Sequence, residues 1–235
     1  MSTAASSTKP NGTSPVTDVF VLSPEKFQIE VHEIGLSKNN PISSTFKWNK
    51  EEKGILYQNQ SFSVDVAPGK GLTSPLPLSQ PAKDSYNYAY LLLRNSFTIK
   101  ATATWASPPG TIDYSTNTGE TTSNIANYAE FTKELPGFGA GGAFASYFDG
   151  TSEGFSKVQG LLLQADKITT ATGFADAAYI LAVFENKLDI GYGDSLKVNI
   201  NTSNRTTIGP TPPGDWQNNN PVFGSGPFIF TITKK

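Results

Sequence analysis

The sequence predicts an all-β protein, an antiparallel β-sandwich of jelly-roll-like type with long Pro/Gly-rich loops and an extended N-terminal arm. Three observations carry this expectation. Short apolar runs alternate with polar residues at period 2, turn residues separate the runs, and no long stretch holds a helical period. The length, 235 residues, suits one large β domain.

Residues 1 to 16, MSTAASSTKPNGTSPV, are small and polar. They carry too little apolar surface to offset the entropy of ordering them, so they read as an arm that orders against a partner. Residues 17–235 read as a single β-rich domain, with a possible subdivision near 107–123. In KFQIEVHEIGL the alternation places Phe27, Ile29 and Val31 on one face and sends His32 to the opposite, solvated side. The same alternation appears in SFSVDVAPG (Phe62, Val64, Val66), SLKVNIN (Leu196, Val198, Ile200) and FIFTITKK (Phe228, Phe230, Ile232).

NYAYLLL and SFTIKATATW meet at Arg94-Asn95 and are expected to form a hairpin. FSKVQGLLLQA and AAYILAVF are apolar on both faces over part of their length, which suits buried strands. Phe174, Ala177, Ala178, Leu181 and Ala182 also fit helical spacing, but Tyr, Ile, Val and Phe favour the strand. Ile125, Tyr128, Ala129 and Thr132 recur at helical intervals before Pro136-Gly137, so at most one short helix is expected there. Residues 73–83 and 210–221 read as long Pro-containing loops, the usual place for contact surfaces.

Composition narrows the chemistry. Cysteine is absent, which removes disulfides and thiolate chemistry; the formal charge of −2 supplies no basic stripe for nucleic acid. The N-terminus lacks the basic start and apolar core of a Sec signal, and no apolar run reaches the roughly 20 residues of a membrane span. Gly137, Gly139 and Gly142 spell G-x-G-x-x-G, but Pro136 stands where an apolar strand should lead in, so a plain loop is the better reading. His32 is the only histidine, leaving a Ser/His/Asp triad no other base. Asp149, Glu153, Asp189 and Asp194 lie in Gly-rich turns, where a carboxylate pair or a loose calcium site is conceivable but no ligand order is visible. No cofactor or metal is expected. Trp216 and Asp215 in PPGDWQNNNP, together with Tyr192, are the candidate contacts to a partner or glycan, because an aromatic face stacks on a sugar ring.

One stretch carries a resemblance. LAVFENKLDIGYGDSLKVNIN runs from an apolar strand through a polar break into Gly193, Asp194, Ser195, Leu196, Val198 and Ile200. This resembles a closing pattern in structural proteins of tailed, including marine, bacteriophages, although here some 35 residues follow it. The resemblance implies a non-enzymatic virion component: a capsid decoration, minor capsid or tail-associated protein, assembled in the host cytoplasm. Its expected partners are other virion proteins and copies of itself, with neither nucleic acid nor membrane insertion. The alternative is a glycan-binding adhesin or receptor-binding module acting on a host-surface glycan, and behind it a polysaccharide hydrolase.

Overall fold

Period-2 segments this short bury one apolar face only by pairing with one another. In the computed structural model of the chain they do so throughout. The structure describes residues 7–8, 20–43, 45–47, 51–58, 60–71, 76–107, 110–118, 120–122, 125–134, 145–148, 158–203, 206–209, 222–225 and 228–235. The strands are β1 (Ser7–Thr8), β2 (Phe20–Leu22), β3 (Lys26–Ser37), β4 (Lys53–Tyr57), β5 (Phe62–Asp65), β6 (Ser85–Arg94), β7 (Phe97–Lys100), β8 (Thr102–Ser107) and β9 (Gly110–Asn117). They continue as β10 (Glu120–Thr122), β11 (Phe131–Lys133), β12 (Ala145–Phe148), β13 (Val158–Leu163), β14 (Tyr179–Asp189), β15 (Leu196–Asn201), β16 (Thr206–Gly209), β17 (Val222–Ser225) and β18 (Ile229–Lys234). The fold is all-β with antiparallel sheets, apart from a two-residue parallel pairing of β1 with β8.

The largest sheet is organised around β3. Val31 pairs with Phe62 on one side and Leu93 on the other, and Gln28 with Asp65 and Thr98. β4 and β5 therefore lie end to end along one edge of β3, and β6 and β7 end to end along the other. Beyond β6 come β14, β13 and β12, while β11 continues the β14 position alongside β7. The expected hairpin at Arg94-Asn95 is thus not formed. Asn95 is buried, its N–H donates to Ala178 O (3.0 Å) and its Nδ2 to Ala177 O (3.1 Å), so the chain jogs at this point and runs on in the same direction.

The alternation along β3 slips once. Val31 pairs with Leu93 but Glu33 with Leu92, leaving His32 as the extra residue of a β-bulge. Before the slip Phe27, Ile29 and Val31 face the principal core, and after it Ile34 and Leu36 do. That core also takes Leu91 and Leu93 from β6, Ile180, Ala182 and Phe184 from β14, and Phe228, Phe230 and Ile232 from the C-terminal segment. The antiparallel β15–β18 pair covers this face. Phe184 meets Phe228 and Phe230 at ring separations of 6.0 and 5.4 Å, and Phe27 meets Phe228 at 6.4 Å. Full burial of side chains of this size is worth about 1.5–3 kcal/mol each. The opposite face holds a smaller cluster of Tyr90, Leu92, Leu163, Tyr179, Leu181 and Val183. With both faces covered, AAYILAVF is a strand from Tyr179, and the helical spacing upstream yields only a single 3-10 turn, Phe174–Asp176.

Three further segments bear on what the sequence predicts. The helical spacing after Ser123 gives a 3-10 turn, Ile125–Asn127, followed by β11, because Phe131 is held opposite Ile99. His32 does point away from the principal core, but that side is not solvated: its side chain is 13% exposed and packs edge-on against Tyr179. The N-terminal arm contributes β1, whose Ser7 and Thr8 pair with Trp105 and Ala106 of the same chain.

Candidate functional site

The jog after Arg94 and the bulge at His32 bring a group of polar and charged side chains together on the second face. Tyr179 pairs across the strands with Arg94 on one side and Leu163 on the other, and His32 bulges from the next strand beyond β6. Leu163, Tyr179 and Arg94 form a row across three adjacent strands, and the His32 ring meets Tyr179 from β3. Lys167 reaches the row from the β13–β14 connection. There Asp166 accepts hydrogen bonds from the N–H groups of Ile168 (2.9 Å) and Thr169 (2.8 Å) and from Thr169 Oγ1 (2.5 Å), closing a tight turn. Lys167 itself adopts φ 65°, a left-handed conformation costing an L-residue about 1–2 kcal/mol.

The result is a tyrosine ring with two cations beside it. The Arg94 guanidinium lies 5.4 Å from the Tyr179 ring centre and Lys167 Nζ 5.1 Å from it. The His32 ring meets the same tyrosine at 4.9 Å, and His32 Nε2 stands 2.9 Å from Glu30 Oε1 without the alignment of a hydrogen bond. Burial lowers the His32 pKa, Lys167 and Arg94 lower it further, and Glu30 opposes them. Among the described residues no carboxylate forms an ion pair with Arg94 or Lys167.

Arg94 also lines a cavity of about 420 Å³ with Glu134, Gln164, Ala165, Ala175, Asp176, Ala177 and Ala178. It opens where β11 ends, β14 begins and the strand beside them jogs. Asp176 belongs to its wall. Its carboxylate accepts from the Thr172 and Gly173 N–H groups (3.1 and 2.9 Å), Thr172 Oγ1 (2.9 Å) and Gln164 Nε2 (3.2 Å), and the backbone donors first of all hold its pKa below the ordinary range. Glu134 and Arg94 are exposed at this cavity. No local motif announces the group, because its members come from four separate segments.

Two other polar features serve the architecture. Glu33 is buried and accepts from Tyr90 Oη (2.5 Å), Lys53 Nζ (3.1 Å) and Gln58 Nε2 (2.8 Å). Burial and the Glu33 charge together push the Tyr90 phenol pKa upward. Gly35 lies under this tyrosine, and a Cβ there would stand 2.3 Å from Tyr90 Cζ and Oη. The second feature is the turn of the Gly-Asp motif. Gly193 has φ 76°, and Asp194 accepts from Gly191 N–H (2.6 Å) and pairs with Lys234 (2.8 Å).

Of the residues singled out from sequence, Tyr192 sits at the tip of that turn, 91% exposed, with Lys83 Nζ 5.3 Å from its ring centre. Trp216 and Asp215 lie outside the described residues, as do Asp149, Glu153 and the three glycines at 137, 139 and 142. Asp189 accepts from Ser85 Oγ at 2.6 Å. Among the described residues no three His, Asp or Glu side chains converge as a metal site, and no helix is long and apolar enough to cross a membrane.

Fold and surface together show a chain of antiparallel β-sheets with two cations beside the Tyr179 ring and, adjoining them at Arg94, a cavity also lined by Glu134 and Asp176. No protein-family model, curated protein or solved structure matches it.

Proposed function

We propose that the chain is a non-enzymatic structural component of a virus particle, a capsid-decoration, minor-capsid or tail-associated protein working through contacts with its own copies and other particle proteins. The finer fold in this reading is a jelly-roll-like sandwich whose second layer includes the β15–β18 pair. The observation that carries the proposal is the pairing of β1 with β8. Ser7 and Thr8 add a strand to a sheet edge, and the same addition can be made to a neighbouring copy. Tyr192 supports it as well: a large aromatic on a turn fixed by Asp194 is the kind of rigid anchor that dominates interfaces.

Sedimentation of the full chain over a concentration series, beside a form lacking residues 1–16, tests the reading. Association of the full chain, reduced in the shortened form, is expected. A full chain that stays monomeric throughout and fails to co-sediment with particles overturns it.

A second reading, a glycan-binding module, is favoured by a separate observation, the cavity beside Arg94.

A further inference from the structure

The cleft at the β6–β7 jog has a charge pattern that selects among glycans. Arg94 and Lys167 both approach the Tyr179 ring, and neither has an ion-pair partner among the described residues. Both cations stand within 5.4 Å of one ring centre, so an acidic ligand lying beside that ring can take charge-assisted hydrogen bonds from them. Lys167 is held there by a left-handed backbone conformation that a glycine would adopt more readily, and Asp166 closes the turn that imposes it.

The adjoining space indicates what else the ligand carries. A cavity of about 420 Å³ falls within the range of roughly 300–1,000 Å³ typical of small-molecule sites. Four alanines line it beside the polar residues, and methyl groups suit the C–H face of a pyranose. Gln164 both donates and accepts, while the Glu134 carboxylate accepts from hydroxyls and repels a bare anion. Asp176 is occupied by its four donors and shapes the wall.

We infer that this cleft binds an acidic saccharide, with the sugar's carboxylate or sulfate held by Arg94 and Lys167 and its ring and hydroxyls lodged against the alanines, Gln164 and Glu134. The inference rests on the glycan-binding reading and names its ligand class. It is independent of particle assembly.

Titration calorimetry of the full chain at low and physiological salt separates the possibilities, using an oligogalacturonate, a sulfated galactose oligomer, an uncharged galactose oligomer and inorganic sulfate as probes. One or both acidic oligomers are expected to bind, more weakly as salt rises. Whichever binds identifies the anion as carboxylate or sulfate. Arg94→Gln is expected to weaken binding about tenfold or more, and Lys167→Gln several-fold, since each removes one charge-assisted contact. Arg94 is exposed, so Arg94→Gln should keep the wild-type circular dichroism and melting temperature.

Equal binding of the uncharged oligomer overturns the acidic specificity and leaves the glycan reading standing. Binding of none of the oligomers overturns both, as does binding of inorganic sulfate alone. Unchanged affinity of Arg94→Gln for a bound acidic oligomer places the ligand elsewhere and overturns the site.

Discussion

Replacing Gly35 by alanine tests the geometry of the β3 bulge more sharply than any change in the principal core. The added Cβ would stand 2.3 Å from Cζ and Oη and 2.6 Å from Cε1 of Tyr90, well inside van der Waals contact. The ring cannot swing aside freely, because Tyr90 is fully buried and its hydroxyl is bonded to Glu33 at 2.5 Å. Overpacking of this kind costs about 1–3 kcal/mol. If the ring is displaced, the bond to the Glu33 carboxylate is lost as well, adding about 1.5–3 kcal/mol. The expected destabilisation of Gly35→Ala is thus about 3–5 kcal/mol, a large share of the roughly 5–15 kcal/mol that holds a folded domain together. Urea unfolding at 25 °C measures it. The specific check is a double-mutant cycle with Tyr90→Leu, which removes the atoms that clash. In that background the alanine should add less than about 1 kcal/mol, giving a coupling of about 2 kcal/mol or more. A single mutant within about 0.5 kcal/mol of wild type, or the same cost in both backgrounds, would refute the packing argument.

Two further outcomes follow from the same face. Lys53→Met leaves the buried Glu33 without its cation and should destabilise the chain by about 3 kcal/mol in urea unfolding, with Glu33→Gln in the same chain restoring most of the loss. Acid should weaken the fold in two stages. Because the folded His32 pKa is lowered from 6.5, the unfolded chain binds a proton that the folded one resists, so stability falls as pH drops below about 6.5 toward the folded value. Asp166, Asp176 and Asp194, held low by their donors, contribute stability above their ordinary pKa of 3.8 that disappears as pH falls through their folded values. His32→Gln should erase the upper stage of a pH series of unfolding midpoints and leave the lower one. An unchanged upper stage would assign it to another group.

Much of the fold was legible because alternation is a local signal. Phe27, Ile29 and Val31, then Phe228, Phe230 and Ile232, read as strand faces and pack in one core. Even the bulge left a trace, since the apolar phase of β3 shifts between Val31 and Ile34 across two adjacent polar residues. Pairing partners were less legible. Nothing near Arg94-Asn95 says that β6 and β7 both lie along a strand from the start of the chain, and the decisive contacts of Asn95 are to Ala177 and Ala178. The cleft was invisible for the same reason. Arg94, Lys167, Tyr179 and His32 are separated by long stretches of chain, and only register brings them together. Among the sequence candidates, Tyr192 was found at a surface turn, a position that its Gly-rich context suggests.

The central place of β3 also sets an order of events during synthesis. Lys26 pairs with Lys100, and Ser37 with Tyr88, so β3 leaves the ribosome well before the segment that completes its second edge. Until then only the β4–β5 side is available to it, and an apolar strand with one open edge invites pairing with other chains. The polar residues spaced along that strand, Glu30, His32 and Glu33, are well placed to keep the waiting chain soluble. The residues that make the bulge in the finished protein would then also act as its safeguard while it is being made.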